Sequence, residues 1–260
     1  YGETTPAEWA DTIRHYPTPF GELQHDSVVV TLPSDALAAV EDPTTMINYL
    51  ESVADTAADL AGFSQDRPRR ERFVLDRQIS LGWMHSGYPL MGHLASTDDF
   101  LNTDNVDGYC CWGMFHEFGH NHQWVDWLIP GTTEATVNLW SVYLNEKLKG
   151  IPSNETHEAI RPEKRAERIA KHIAAGAPFE DWSVWTALES YLQIQEAFGW
   201  EVYTNIFGQY RALGPGSAPT SDQGVIDQWV VRLSNTVKRN LGPFYQTWGV
   251  PVSQNALDSI

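Results

Sequence analysis

Cysteine is nearly absent: the 260 residues hold two, Cys110 and Cys111, and they are neighbours. Adjacent cysteines build no disulfide framework, so nothing marks an oxidising compartment. The pair reads as two buried thiols, with a strained vicinal disulfide as the sharper alternative. Positive charge is also scarce. Lys and Arg number 17 against 34 Asp and Glu, a net charge of −17, and so acidic a surface repels phosphate backbones and anionic lipid heads. The one basic run, Arg67-Pro68-Arg69-Arg70 followed by Glu71 and Arg72, is short and broken by acid. It reads as a solvated strand entry rather than a binding patch, and no nucleic acid partner is expected. No stretch approaches the roughly 20 apolar residues that a bilayer core requires, so no membrane span is expected. Internal repeats, low-complexity tracts and long linkers are missing too. The opening Tyr1-Gly2-Glu3 carries no basic, apolar leader. The expectation is the mature or excised part of a longer chain, with a cytoplasmic chain as the alternative.

What is present is apolar and aromatic. With 42% hydrophobic residues, 11 Trp, 10 Tyr and 10 Phe, the chain is not disordered, and its length suffices for one large core or two coupled subdomains. Ser27-Val28-Val29-Val30-Thr31-Leu32 is β-branched and predicts a strand closed by Pro33. Asp42 and Pro43 open a helix through Leu60 that Gly62 ends. Arg72 to Ile79 predicts another strand, and Gly82 to Gly92 a glycine-rich loop. From about residue 111 the apolar spacing turns helical. Helices are expected over Trp112–Val125, Thr132–Lys149, Pro162–Ala175, Trp185–Phe198, Glu201–Leu213 and Gln223–Asn240. The class is α+β: a single unit over 1–260, with a small mixed sheet in about 1–110 and a helical part in about 111–260.

The residues that carry chemistry are His116-Glu117-Phe118-Gly119-His120. On a helix, positions four apart share a face, so both imidazoles can point at one ion. Zn²⁺ accepts neutral imidazole nitrogen, and a catalytic site needs three protein ligands plus an open position. Glu117 sits one residue round, where its carboxylate reaches metal-activated water without being a ligand. Glu134, opening the next helix after the Pro130-Gly131 break, is the expected third ligand. Asn138, one turn on, is placed to hydrogen-bond an imidazole N–H and fix its tautomer. His122 points elsewhere on the helix and reads as a substrate-facing or supporting residue. His85 lies in the glycine-rich loop, while His15, His25, His157 and His172 read as surface. Trp140 and Trp185 read as core; Trp83, Trp124 and Trp127 are candidates to line the cleft.

His116-Glu117-Phe118-Gly119-His120-Asn121-His122-Gln123, then Gly131-Thr132-Thr133-Glu134 and Asn138, resembles the enhancin and mucinase family of zinc peptidases, metallopeptidase family sixty. The similarity continues upstream through Asp76 to Ser80 and Gly82 to Pro89. Downstream it covers Phe198-Gly199-Trp200, Asn240 to Phe244 and Trp248 to Ser253, so matches span most of residues 20–253.

The resemblance implies a gluzincin-like catalytic domain with His116, His120 and Glu134 on Zn²⁺ and Glu117 as general base. It implies a secreted or cell-surface endopeptidase that cuts mucin-like, O-glycosylated proteins, with carbohydrate-binding modules elsewhere on the full-length chain. Peptide hydrolysis also needs a donor to the developing oxyanion; Tyr191 is the candidate and Tyr88 the second choice. Tyr88, His85, Trp124 and His122 are the expected substrate contacts. Two other readings stay open: a glycoprotein-binding module with structural zinc, and a general zinc protease indifferent to glycans.

Overall fold

Val28, Val29 and Val30 are all buried, which places their strand in the middle of a sheet rather than at an edge. A computed structural model describes residues 2–63, 69–97, 101 and 109–260, with side chains described from Cys111 onward in the last stretch. The strands are β1 (Phe20–Gln24), β2 (Val28–Pro33), β3 (Glu71–Asp76), β4 (Met84–His85) and β5 (Leu90–His93). They form a mixed sheet in the order β1-β2-β3-β5-β4. β2, β3 and β5 run parallel, with Val30 opposite Phe73 and Phe73 opposite Leu90, while β1 and β4 are antiparallel edges.

The helices are α1 (Pro6–Asp11), α2 (Ser34–Ala38), α3 (Pro43–Leu60), α4 (Tyr109–His122), α5 (Thr133–Thr136), α6 (Asn138–Lys149), α7 (Pro162–Ala174), α8 (Val184–Phe198), α9 (Glu201–Arg211), α10 (Asp222–Val237), α11 (Gly242–Thr247) and α12 (Gln254–Leu257). The expected α+β class is observed. α3 starts where the sequence places it, because Asp42 Oδ1 accepts the Thr44 and Thr45 N–H groups at 3.0 and 3.2 Å, satisfying donors that a helix start leaves open. It forms the crossover between parallel β2 and β3.

Four expectations need correction. β1 escapes the sequence reading because Phe-Gly-Glu-Leu-Gln has no β-branched residue, and only pairing with β2 makes it a strand. The expected strand through Ile79 ends at Asp76, where pairing with β5 ends. The expected loop Gly82–Gly92 holds β4 and β5, two short strands whose partners are non-local. The expected helix Thr132–Lys149 forms as α5 and α6, meeting at Val137 with a right-handed backbone (φ −65°, ψ −26°).

Most of the described buried apolar residues form one cluster that runs from Trp9 through the sheet to Val250. Its centre is aromatic: Phe207 lies 4.5 Å from Trp127 and 5.3 Å from Trp140, ring centre to ring centre. The indoles inside it keep partners, Trp140 donating to the Ala57 carbonyl at 3.0 Å and Trp229 to the Tyr245 hydroxyl at 2.8 Å, as buried tryptophans must. Cys111 is buried beside this core; the side chain of Cys110, and Arg67 and Pro68, lie outside the described residues. Arg165 of α7 donates to Glu189 of α8 at 2.8 Å, and the Glu189 side chain is fully buried. No described helix is long and apolar enough to cross a membrane.

Gly249 marks a tight chain crossing. Its φ is +81°, and a Cβ there would stand 1.8 Å from the Ala177 carbonyl oxygen. Both strain and collision oppose any side chain. Gly249→Ala is expected to lower unfolding free energy by roughly 2–4 kcal/mol, read by urea denaturation; an unchanged midpoint would contradict the crossing.

Candidate metal centre

Helix α4 puts one face on the core and leaves the other partly open to solvent. Phe115 and Phe118 are fully buried, while His116, Glu117 and His120 on the opposite side are half-exposed. The following chain turns at Gly131 and brings Glu134, on α5, back over the two imidazoles. The turnback is close because of Gly119: a Cβ there would stand 2.9 Å from the Val137 carbonyl and 3.0 Å from the Val137 Cβ. Only hydrogen fits between α4 and the segment carrying Glu134 and Asn138.

Ligand atoms of His116, His120 and Glu134 all lie within 4.8 Å of one another. Glu134 Oε2 is 3.1 Å from His116 Nε2 and 3.4 Å from His120 Nε2. The other ring nitrogens fix the tautomers. His116 Nδ1–H donates to Asn138 Oδ1 at 2.8 Å, and His120 Nδ1–H to Gln123 Oε1 at 3.1 Å. Gln123 is itself held, its Nε2 donating to the Thr133 carbonyl at 2.7 Å and to Thr136 Oγ1 at 2.5 Å. The Nε2 atoms of both rings thereby face the Glu134 carboxylate. Three potential ligand atoms converge. Deprotonated at Nε2, two imidazoles with one carboxylate suit a divalent ion such as Zn²⁺.

Glu117 lies beside this set. Burial raises its carboxyl above the usual range, while His116, His120 and the Ser86 N–H, which it accepts, pull it down. Ser86 follows edge strand β4, and the same loop is pinned to α4 by Asn121. Its Oδ1 accepts the Gly87 N–H at 2.9 Å. Its Nδ2 donates to the Gly87 carbonyl and to Glu71 Oε2, both at 3.1 Å.

A family model described as peptidase M60, enhancin and enhancin-like, matches residues 1–249. The chain belongs to that family. Among its relatives, TRPM8 channel-associated factor 2 of Bos taurus and of Homo sapiens are each 44% identical over the whole of this chain, which spans 28% of their length. Solved structures share the M60 fold at low identity. A metallopeptidase from Bacteroides thetaiotaomicron matches with a TM-score of 0.76 and 14% identity over 99% of this chain and 48% of its own. The IMPa protein of Pseudomonas aeruginosa, solved in complex with an O-glycopeptide, matches with a TM-score of 0.68 and 18% identity over 93% of this chain and 35% of its own.

Other expected site residues in this M60 chain fall into two groups. Tyr88 is half-exposed on the loop after Ser86. His85 sits on β4, its ring held between Ser80 Oγ at 3.1 Å and the Ser86 carbonyl at 2.8 Å. Trp124 projects past the end of α4 with the Arg211 guanidinium over its ring, and Trp83 stacks on His93.

The second group is corrected. Tyr191 is buried, and its hydroxyl donates to Thr132 Oγ1 at 3.1 Å. It therefore supports the start of the Glu134 segment from the core side and has no proton to offer the cleft; burial also raises its pKa. His122 is buried too, Nδ1 against the Phe118 carbonyl at 2.8 Å, because two residues past His120 a helix faces its core. Trp127 is buried in the aromatic core rather than lining the cleft. His172 is buried and stacks on Trp248 at 5.4 Å, and His157 stacks on Trp112 and Trp185 at 4.6 and 4.5 Å; neither is a free surface residue.

Sequence reasoning missed Gln123 and Asn121. Gln123 lies three residues past His120, and that spacing on the helix was the available signal. Asn121 had none, since its partners Gly87 and Glu71 are distant in sequence.

Two outcomes follow for metal binding. Asn138→Ala and Gln123→Ala should each weaken zinc about 10- to 100-fold in competition with a chromophoric chelator. Gly119→Ala should weaken zinc as well and lower the melting temperature, because the added methyl separates α4 from Val137. Wild-type affinity in all three would refute the geometry.

Proposed function

We propose that this chain is the catalytic part of a zinc endopeptidase that cleaves mucin-like, O-glycosylated proteins. The observation that carries the reading is the convergence of three acceptors, His116 Nε2, His120 Nε2 and a Glu134 oxygen, beside the half-buried carboxyl of Glu117. His116, His120 and Glu134 would hold the metal, which when bound supplies Lewis acidity to water and to the scissile carbonyl. Glu117 accepts a proton from the attacking water and passes it to the leaving amine. The Ser86 N–H holds that carboxylate in place. Asn121 keeps the loop fixed above the helix, so attack occurs at one position along it. Tyr88, His85 and Trp124 are the proposed substrate contacts. The O-glycoprotein substrate is supported by the fold shared with a protein solved with an O-glycopeptide. A secreted or cell-surface setting, with carbohydrate-binding modules elsewhere in a longer protein, belongs to the same proposal, as does a single unit over 1–260.

The relatives named TRPM8 channel-associated factors favour a second reading: a binding module of a larger protein in which zinc serves structure. One variant separates the two. Glu117→Gln should keep zinc at wild-type stoichiometry by elemental analysis while losing cleavage of a mucin-type glycoprotein by about 10²- to 10⁴-fold. Binding of several glycoproteins by the zinc-loaded wild type, with no product after long incubation, supports the binding module. Equal cleavage before and after enzymatic deglycosylation would remove the glycan from the proposal.

A further inference from the structure

The described arginines of the basic run before and within β3 have different fates. Arg70 Nε donates to the His25 carbonyl at 2.9 Å. Arg72 pairs with Glu22 and donates to Thr31 Oγ1 at 3.2 Å. Both are occupied in tying β3 to the neighbouring hairpin. Arg69 is not: it is exposed, with no hydrogen bond or ion pair to a described residue, and its guanidinium carbon stands over the Tyr88 ring, 3.8 Å from the ring centre.

That contact adjoins the loop that meets Glu117. Tyr88 directly follows Gly87, whose N–H and carbonyl both bond Asn121, and comes two residues after Ser86, whose N–H bonds Glu117. Glu71, two residues after Arg69, accepts from the same Asn121 at 3.1 Å. One side chain of α4 thus bonds a chain neighbour of each residue in the Arg69–Tyr88 pair. Asn121 is one helical turn from Glu117, about 6 Å along the axis.

A guanidinium that rests over a ring without a hydrogen-bonding partner keeps its N–H groups open, and these match a carboxylate in bidentate fashion. Elsewhere the protein is strongly acidic, with a net charge of −17, so a negative group gains nothing from the general surface. At physiological salt the screening length is about 8 Å, and a contacting cation dominates over remote acids. We propose that Arg69, laid on Tyr88 at the rim of the cleft, reads a carboxylate on the substrate and selects for an acidic side chain or acidic sugar beside the scissile bond. The inference rests on the endopeptidase reading for its substrate and adds the charge that the substrate carries.

The test uses the full zinc-loaded protein and two pairs of fluorescein-labelled O-glycopeptides. One pair differs only by Glu against Gln next to the glycosylated Thr. The other differs only by the presence or absence of a terminal sialic acid on the glycan. In the wild type, the acidic member of one pair should show a KM about five-fold lower at equal kcat, as a partly exposed, charge-assisted contact allows. Arg69→Ala should bring that ratio to one, and Arg69→Lys should retain part of it. Which pair responds identifies the source of the carboxylate. Equal KM within both pairs, or a preference that survives in Arg69→Ala, overturns the proposal. Anisotropy with the same peptides separates the two readings. If the wild type cleaves nothing yet binds the acidic member more tightly, and Arg69→Ala abolishes that difference, the endopeptidase reading fails and the carboxylate site stands. If binding shows no acid preference either, the site falls.

Discussion

The rest of this structure is arranged around one convergence: the Nε2 atoms of His116 and His120 meet a Glu134 oxygen, all within 4.8 Å. Asn138 and Gln123 accept from the two Nδ1 atoms and set how the rings are turned. Deprotonated at Nε2, the two imidazoles and the carboxylate form a donor set suited to a divalent ion. What the protein invests in this set is orientation. It lies in the two amide oxygens behind the rings and in the contacts that hold those amides.

That orientation depends on how close two segments can come. α4 carries the imidazoles, and the chain from Glu134 to Asn138 carries the third acceptor and one of the orienting amides. Gly119 lets them meet with the Val137 carbonyl against its Cα. Beneath them, Tyr191 and Thr132 join α8 to the start of α5 by a buried hydrogen bond, and Phe115 and Phe118 anchor α4 in the core. On the solvent side, Asn121 binds the β4 loop and the first residue of β3 together. The cleft is thus fixed from below by packing and from above by one amide.

Much of this was legible in residue order. The two histidines four apart and Asn138 one turn beyond Glu134 are short-range relations, and helical geometry makes them readable. So is the start of α3, where Asp42 and Pro43 supply a cap and a fixed φ. Tyr191, His122 and Trp127 were misread because residue type says what a side chain is able to do and not which way it faces. A tyrosine with its proton already given to Thr132 is a structural residue whatever its chemistry. β1, β4 and β5 were missed or merged into a loop because short strands gain most of their stability from partners far along the chain, which no local pattern records.

The sequence by itself determined the class of the fold, the helix face that His116 and His120 share and the strongly acidic charge. These follow from composition and from the 3.6-residue period, and both are local properties. Tertiary structure alone decided which amide orients which imidazole, which aromatic rings face the cleft, and that Arg69 lies on Tyr88 while its neighbours are consumed in the sheet. The physical reason is one of range: hydrogen bonds and ring contacts act over a few ångströms, and only folding brings Arg69 to Tyr88 and Asn121 to Gly87 and Glu71 within that distance.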